Sequence, residues 1–310
     1  MPFLELEAEV RSAAERACTV VDGLGLPSEL LYEPLMGGIT NRNFRVIAAD
    51  RDVVLRIHGK DTDLLGIDRR LEHAAALQAA DLGIGPGVAG LVEPELYLVT
   101  EFVVAETADL LNPATFVATV ELLRRWHSSS PIPGGFDTFG LAKTYARRAS
   151  ERGVSLPLGA EQAIEISDEV AAVFATFDDP AVPCHNDLLG ANFLSSTDDP
   201  GRVWLIDWEY AGMNTRWFDL GNFSINNGFD SDADDALLEA YFGTVSPSMR
   251  ARLTLARVMS DVRESMWGVV QQGISTLDFD YSAYAQQHFD RMIMNTTSPA
   301  FTAALQNAGA

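Results

Sequence analysis

The stretch His185-Asn186-Asp187-Leu188-Leu189-Gly190-Ala191-Asn192, followed by Leu205-Ile206-Asp207-Trp208-Glu209-Tyr210, decides how this chain is read. An Asp stands five residues before an Asn in a short loop, and an apolar run then ends in a second Asp. That order can place three oxygen-bearing side chains around one point. Phosphoryl transfer needs this set: one carboxylate to orient an attacking hydroxyl, and an amide oxygen and a second carboxylate to hold Mg²⁺ against phosphates. Mg²⁺ is a hard cation that takes carboxylate and amide oxygens. Asp187, Asn192 and Asp207 are therefore the candidate catalytic residues, with Asn192 and Asp207 as metal ligands. Each piece alone reads equally well as a turn rich in Asn and Asp, or as a strand-end Asp capping the next turn.

Upstream, Leu30 to Leu35 is strand-like and leads into Gly37-Gly38-Ile39-Thr40-Asn41-Arg42-Asn43-Phe44. Phe44 to Ala48 and Val53 to Ile57 read as two further strands. Two glycines let the backbone approach phosphate oxygens, and Thr40, Asn41 and Asn43 add polar side chains. Hairpin tips commonly carry Gly for local reasons as well. Arg56 falls on the following strand. Glu72 falls on a helix over 66–80, with Leu71, Ala74, Ala75 and Leu77 inward. Leu96 to Val103 is one more strand.

Beyond about residue 104 the period changes. Helices are expected over 113–127, 141–152, 160–177, 233–242, 248–272 and 280–293, with short strands and turns over 182–210. The last ten residues read as a frayed tail. The fold class is α+β, in two lobes: a small antiparallel-sheet N-lobe at 1–103 and a larger, mainly helical C-lobe at 104–310.

Composition sets the outer bounds. The 310 residues suit two units of about 150. The net charge of −22 argues against nucleic acid and anionic membranes as partners, because both need clustered cations. No apolar run nears the roughly 18 residues of a membrane span. The acidic N-terminus does not read as a secretory signal. Cys18 and Cys184 are too few for a disulfide framework. The expectation is a cytoplasmic protein. Asp230, Asp232, Asp234 and Asp235 read as an acidic helix N-terminus rather than a second metal site.

The pieces occur in the order of the protein-kinase fold. H-x-D-x-x-x-x-N is its catalytic-loop spacing, Asp207 takes its second metal position, and Arg56 with Glu72 takes the place of its phosphate-holding pair. His185-Asn186-Asp187, Ile206 through Asn214 and Phe218-Asp219-Leu220-Gly221-Asn222 together resemble the choline/ethanolamine kinase family. That family lies within the larger aminoglycoside-phosphotransferase-like group. The similarity extends over Gly37 to Phe44, Val54 to Ile57, Trp267 to Gln271 and Ile274 to Gln286.

The resemblance implies ATP- and Mg²⁺-dependent phosphorylation of the hydroxyl of a small cationic amino alcohol, choline first. Ethanolamine, thiamine or an aminoglycoside is the alternative acceptor, and a non-catalytic nucleotide-binding pseudokinase is the alternative class. It further implies Glu101 to Val103 as the segment meeting adenine, and Asp219 as a brace for the loop. The ATP-side set is thus Gly37, Gly38, Thr40, Asn41, Asn43, Arg56, Glu72, Glu101 and Val103.

A quaternary ammonium offers no hydrogen-bond donor and is held by aromatic faces and carboxylates. Asp187, Glu209, Tyr210, Trp267 and Tyr284 match that pocket by position. Two positions depart from the family: Glu264 stands in place of a second Trp, and Asn226 in place of a pocket Glu. A carboxylate at 264 can hydrogen-bond a primary ammonium, or attract choline by charge alone.

Overall fold

A computed structural model describes residues 2–35, 40–199 and 201–309. The expectations placed on Gly37 and Gly38 lie outside these residues. After helix α1 (Ala8–Val20), strands β1 (Leu31–Leu35), β2 (Asn41–Ile47) and β3 (Asp52–His58) run in turn. Helix α2 (Arg69–Asp81) and strands β4 (Val88–Val92) and β5 (Tyr97–Glu101) follow. The strands form one antiparallel sheet in the order β1-β2-β3-β5-β4. Alternation along β3 organises it. Val53, Leu55 and Ile57 are buried against α1, and Arg56 is carried on the opposite face, as a period of two requires. Strand β4 escaped the sequence reading, because Val88-Ala89-Gly90-Leu91-Val92 carries a central Gly and no alternation.

Helix α2 differs from expectation in which face it buries. Asp68 caps it, accepting from the N–H groups of Arg70 and Leu71. Its buried residues are Arg69, Glu72, Ala75, Ala76 and Ala79, whereas Leu77 is 42% exposed. The expected inward set of Leu71, Ala74, Ala75 and Leu77 is therefore rotated. Small alanines let the helix approach closely, and its two buried charged residues, Arg69 and Glu72, find partners inside.

The remainder begins with β6 (Ala105–Thr107), α3 (Pro113–His127), α4 (Leu141–Glu151) and α5 (Gly159–Phe174). Short strands β7 (Val182–Cys184), β8 (Phe193–Ser196), β9 (Val203–Leu205) and β10 (Gly212–Asn214) frame the decisive loop, paired as β6-β8-β9 and β10-β7. Helices α6 (Arg216–Asn226), α7 (Ser231–Phe242), α8 (Pro247–Ile274), α9 (Tyr281–Thr296) and α10 (Pro299–Asn307) complete it.

Two of these correct the sequence reading. Helix α6 is buried on nearly every face, including Asp219, Asn222 and Ser224, so it lacks the polar stripe that reveals an amphipathic helix. The supposed frayed tail is α10. Ser298 caps it, Pro299 opens it, and Phe301 and Ala304 are buried in the core.

Helix α8, of 28 residues, is the spine of this half. It meets α6 at Gly221, where an added Cβ would stand 2.5 Å from the Ala256 carbonyl carbon and 2.7 Å from the Arg257 nitrogen. Backbone atoms cannot yield as a flexible side chain does. Gly221→Ala is expected to lower unfolding stability by about 3 kcal/mol, the upper part of the overpacking range. Urea denaturation checks this; a midpoint matching the parent's contradicts the close-approach argument.

Candidate active site

The loop between β7 and β8 is held by one buried carboxylate. Asp219, from the first turn of α6, accepts from the backbone N–H of His185 at 2.7 Å and of Asn186 at 2.7 Å. It also meets His127 Nε2 at 3.0 Å. Asn186 lies in the left-handed region at φ 64°. Its side chain donates to Tyr210 O and accepts from Asn214 Nδ2. His185 Nδ1 accepts from the Asp187 N–H, so the ring proton sits on Nε2 and is donated to Ile206 O at 2.9 Å. Burial holds this imidazole below its ordinary pKa. The same loop leaves Cys184 deeply buried, with its thiol pushed up well above the usual range, which argues against an activated thiolate.

Asp187 and Asn192 are joined within the loop. Asn192 Nδ2 donates to Asp187 O at 2.8 Å, leaving the amide oxygen as an acceptor. The Ile206 N–H donates to Asn192 O, which fixes β9 and the following Asp207 against the loop. Asp207 is itself left-handed, at φ 70°. Burial pushes the Asp187 carboxyl up to about 8; Arg263 opposes this, and Glu264, Asp207 and Glu209 add to it.

On the sheet side, Arg56 Nη1 contacts Glu72 Oε1 at 3.1 Å and pairs closely with Asp207 Oδ1. Glu72 is 2% exposed, so it is not a solvated helix face. Sequence reasoning missed the residue that ties this cluster together. Arg69 Nη1 pairs with Glu72 Oε2 at 2.7 Å and with Glu209 Oε2 at 3.0 Å, and Nη2 reaches Thr62 Oγ1. Asn41 Nδ2 donates to the same Glu209 oxygen at 2.8 Å. The Asn41 side chain therefore belongs to this network rather than standing as a free donor. Glu209, likewise placed in it and not among the aromatic rings, is pushed up to about 7 by burial and then by Asp207. Asn43 Oδ1 is buried without a hydrogen-bond partner among the described residues. Thr40 lines a cavity of about 270 Å³ between β2–β3 and the α8–α9 connection. Glu101 pairs with Arg51 at 2.6 Å, and its N–H donates to Gly87 O. Val103 follows it, half-buried, where the chain leaves the sheet.

On the helical side, Trp267 Nε1 donates to Tyr210 Oη at 2.7 Å. The Trp267 and Tyr284 rings meet edge-on at 5.5 Å. Tyr284 Oη donates to Glu264 Oε2 at 2.7 Å. Burial alone would raise the Glu264 carboxyl, but Arg263 and His288 hold it below its usual range. Arg263, also missed in the sequence, bridges Glu264 Oε2 at 2.7 Å and Asp187 Oδ1 at 3.1 Å. It thus links the aromatic group to the loop. Asn226 joins a different set: its amide bonds Arg291 at 2.9 Å and Ser260 at 3.3 Å.

Among the described residues, the one His/Cys/Asp/Glu group close enough to share a metal is His127, Cys184 and Asp219. Both Asp219 oxygens there already accept backbone N–H groups. The Asp230 group is a helix cap, accepting from the N–H groups of Asp232 and Ala233. Among the described residues no helix is long and apolar enough to cross a membrane.

The model of the family described as "Phosphotransferase enzyme family" matches residues 32–255, more than half of the chain. A solved choline/ethanolamine kinase family protein from Mesorhizobium loti superimposes with a TM-score of 0.79 at 30% identity, over 97% of this chain and 99% of that one. The chain belongs to the choline/ethanolamine kinase family of phosphotransferases. It is 25% identical to the choline/ethanolamine kinase of Mus musculus, over 85% of this chain and 79% of that protein. It is 26% identical to ethanolamine kinase 2 of Mus musculus, over 86% and 76%. The family makes this chain a nucleotide-binding small-molecule kinase with an alcohol as acceptor, and its α+β architecture is that of the family's fold.

Arg69 offers a direct test of the network. Arg69→Met would leave the buried carboxylates of Glu72 and Glu209 without their shared cation. The expected loss is about 3–5 kcal/mol of unfolding stability, read by chemical denaturation. A loss below about 1 kcal/mol, the scale of an exposed pair, would show that the pairing contributes little.

Proposed function

We propose that the protein transfers the γ-phosphoryl group of ATP to the hydroxyl of a small alcohol carrying a primary amine. Asp187 accepts a hydrogen bond from that hydroxyl and aims its oxygen at the phosphorus. The new P–O bond forms as the bond to the β-phosphate oxygen breaks, ADP leaves with the electron pair, and the hydroxyl proton passes to Asp187, which takes it in its ionised, carboxylate form. Arg56, braced by Glu72, faces the phosphates from the sheet, and the backbone of Glu101 to Val103 meets the adenine.

The donors present fit Mg²⁺. Asn192 keeps its amide oxygen free of its own loop, and Asp207, next to the Ile206 that bonds the Asn192 carbonyl, supplies a carboxylate with Oδ1 paired to Arg56 and Oδ2 as a further oxygen. Bound there, Mg²⁺ supplies charge neutralisation at the transferred phosphoryl group. The chain is read as two lobes meeting near residues 103 and 104, with this chemistry between them.

The observation that carries the reading is the position of Asp187. It borders the phosphate-side cluster through Asn192 and the aromatic group through Arg263. The relatives act on choline or ethanolamine by name, and Glu264 bears on the choice between them. Its Oε1 is buried and unpartnered among the described residues. A primary ammonium donates to such an oxygen, and a quaternary one has no N–H to give. An acceptor with N–H groups is therefore favoured over choline.

The test is ATP-dependent product formation with ethanolamine, choline, thiamine and kanamycin. Ethanolamine is expected to exceed choline in kcat/KM, and a reversed order overturns the primary-amine choice. Asp187→Ala is expected to lower kcat about a thousandfold while the Kd for ATP changes little; near-parental turnover in that variant would refute the role given to Asp187. Chelation with EDTA is expected to abolish turnover and excess Mg²⁺ to restore it. Asp207→Asn should raise the Mg²⁺ concentration needed for half-maximal rate, and an unchanged requirement would remove Asp207 from the metal site.

A further inference from the structure

Burial and hydrogen bonding disagree at Arg263 and Glu264. Arg263 is 3% exposed and Glu264 is fully buried. Arg263 Nη1 is shared between Glu264 Oε2 and Asp187 Oδ1. Its remaining nitrogens, Nε and Nη2, have no hydrogen-bond partner among the described residues, nor has Glu264 Oε1 or Asp187 Oδ1, whose contact with Arg263 is an ion pair without hydrogen-bond geometry. Buried polar groups are nearly always satisfied, and leaving one unmade is costly. Here two donor nitrogens and one acceptor stand unmade on adjacent residues, with a second acceptor on Asp187, the carboxylate that faces the hydroxyl.

The chemistry of these groups is specific. Nε–H and one Nη2–H of a guanidinium lie parallel along one edge, and that edge matches a planar carboxylate through two bonds. Glu264 Oε1 is an acceptor suited to an ammonium. The guanidinium also lies over the Tyr210 ring, 4.3 Å from its centroid. A fixed cation thus already occupies an aromatic face that a quaternary ammonium would use.

We infer that Arg263 and Glu264 make the acceptor site one for a zwitterion. The substrate class is a small hydroxy-amino acid, with its carboxylate on the Nε–Nη2 edge of Arg263, its ammonium on Glu264 Oε1 and its hydroxyl at Asp187. This deepens the primary-amine reading and rests on it. The other Glu264 oxygen accepts from the hydroxyl of Tyr284, a half-buried ring beside the group. If Arg263 did no more than neutralise Asp187 and Glu264, a carboxylate on the substrate would confer nothing.

Matched pairs separate the two. L-serine and ethanolamine differ only by a carboxylate, as do L-homoserine and 3-aminopropan-1-ol. Binding of each is measured by calorimetry with a non-hydrolysable ATP analogue and Mg²⁺, and kcat/KM with ATP. In at least one pair the carboxylate-bearing member is expected to be favoured about ten- to a hundredfold in both measurements, the scale of a hydrogen bond to a charged group. Arg263→Lys keeps a cation beside Asp187 and lacks the two-bond edge, so it is expected to lower that preference at least about tenfold. Should that variant not fold, the parent's two pairs decide alone. Equal or better binding of the plain amine in both pairs overturns the zwitterion and leaves the primary-amine reading standing. If no member of either pair binds or is phosphorylated, both readings fall.

Discussion

Too many carboxylates meet in too little water. Glu72, Asp187, Asp207, Glu209 and Glu264 converge on one region, and three guanidiniums, from Arg56, Arg69 and Arg263, are placed among them. Burying an unpaired charge is far more costly than pairing it, so the positions of these eight side chains are tightly interdependent. The formal balance is still short by two positive charges. Burial, with neighbouring carboxylates adding to it, pushes two of the acids up toward neutrality, Asp187 to about 8 and Glu209 to about 7. A region of hard oxygen donors lacking two positive charges is electrostatically suited to a divalent cation. Much of the chain's local architecture serves this arrangement, including the rotation of α2 that turns Arg69 and Glu72 inward at the expense of Leu77.

The loop carrying Asp187 is strained and restrained together. Asn186 and Asp207 both hold left-handed backbone conformations, each of which costs about 1–3 kcal/mol for a non-glycine residue. Charge-assisted hydrogen bonds to Asp219 and the Asn186–Asn214–Thr138 chain offset that cost. The strain therefore falls at Asp207 itself and at the residue immediately before Asp187. The bracing by Asp219 comes from α6.

The sequence showed what is local and withheld what is long-range. The spacing Asp187–Asn192–Asp207 and the alternation that turns Arg56 away from the β3 core lie within single elements. The Arg56–Glu72 pair was legible only because motif order supplied it, since Glu72 by itself looks like a surface acid. Arg69 and Arg263 were invisible for the same reason. An arginine at a helix start, or within a long helix, has no local pattern to say that it is buried, and its partners stand 140 residues away at Glu209 or in the loop at Asp187. Helix α6 hid because its buried polar residues erase amphipathicity. Helix α10 hid because Ala, Thr and Gln without charge resemble a tail until Phe301 is seen in the core. The two departures from the family pattern were visible as residue types. Their geometry was not: Glu264 lies against Tyr284 and Arg263, whereas Asn226 is drawn off to Arg291.

Helix α8 gives these observations a common cause. Ser260, Arg263 with Glu264, Trp267 and Gln271 recur at three- and four-residue steps and so share one face. That face runs from the supports of α6, past Asp187, to the cavity beneath β3. The opposite constraints fix the helix itself: Gly221 admits no shift of its backbone, and Trp267 is tied to Tyr210 Oη. Arg263 and Glu264 lie on α8, whereas Asp187, Asn192 and Asp207 lie on the segment that runs from β7 to just past β9. The α8 face and the Asp187 loop thus meet at more than one point: through the ion pair of Arg263 with Asp187, and through Ser260, which accepts from the Asn222 side chain that in turn accepts the Leu188 N–H.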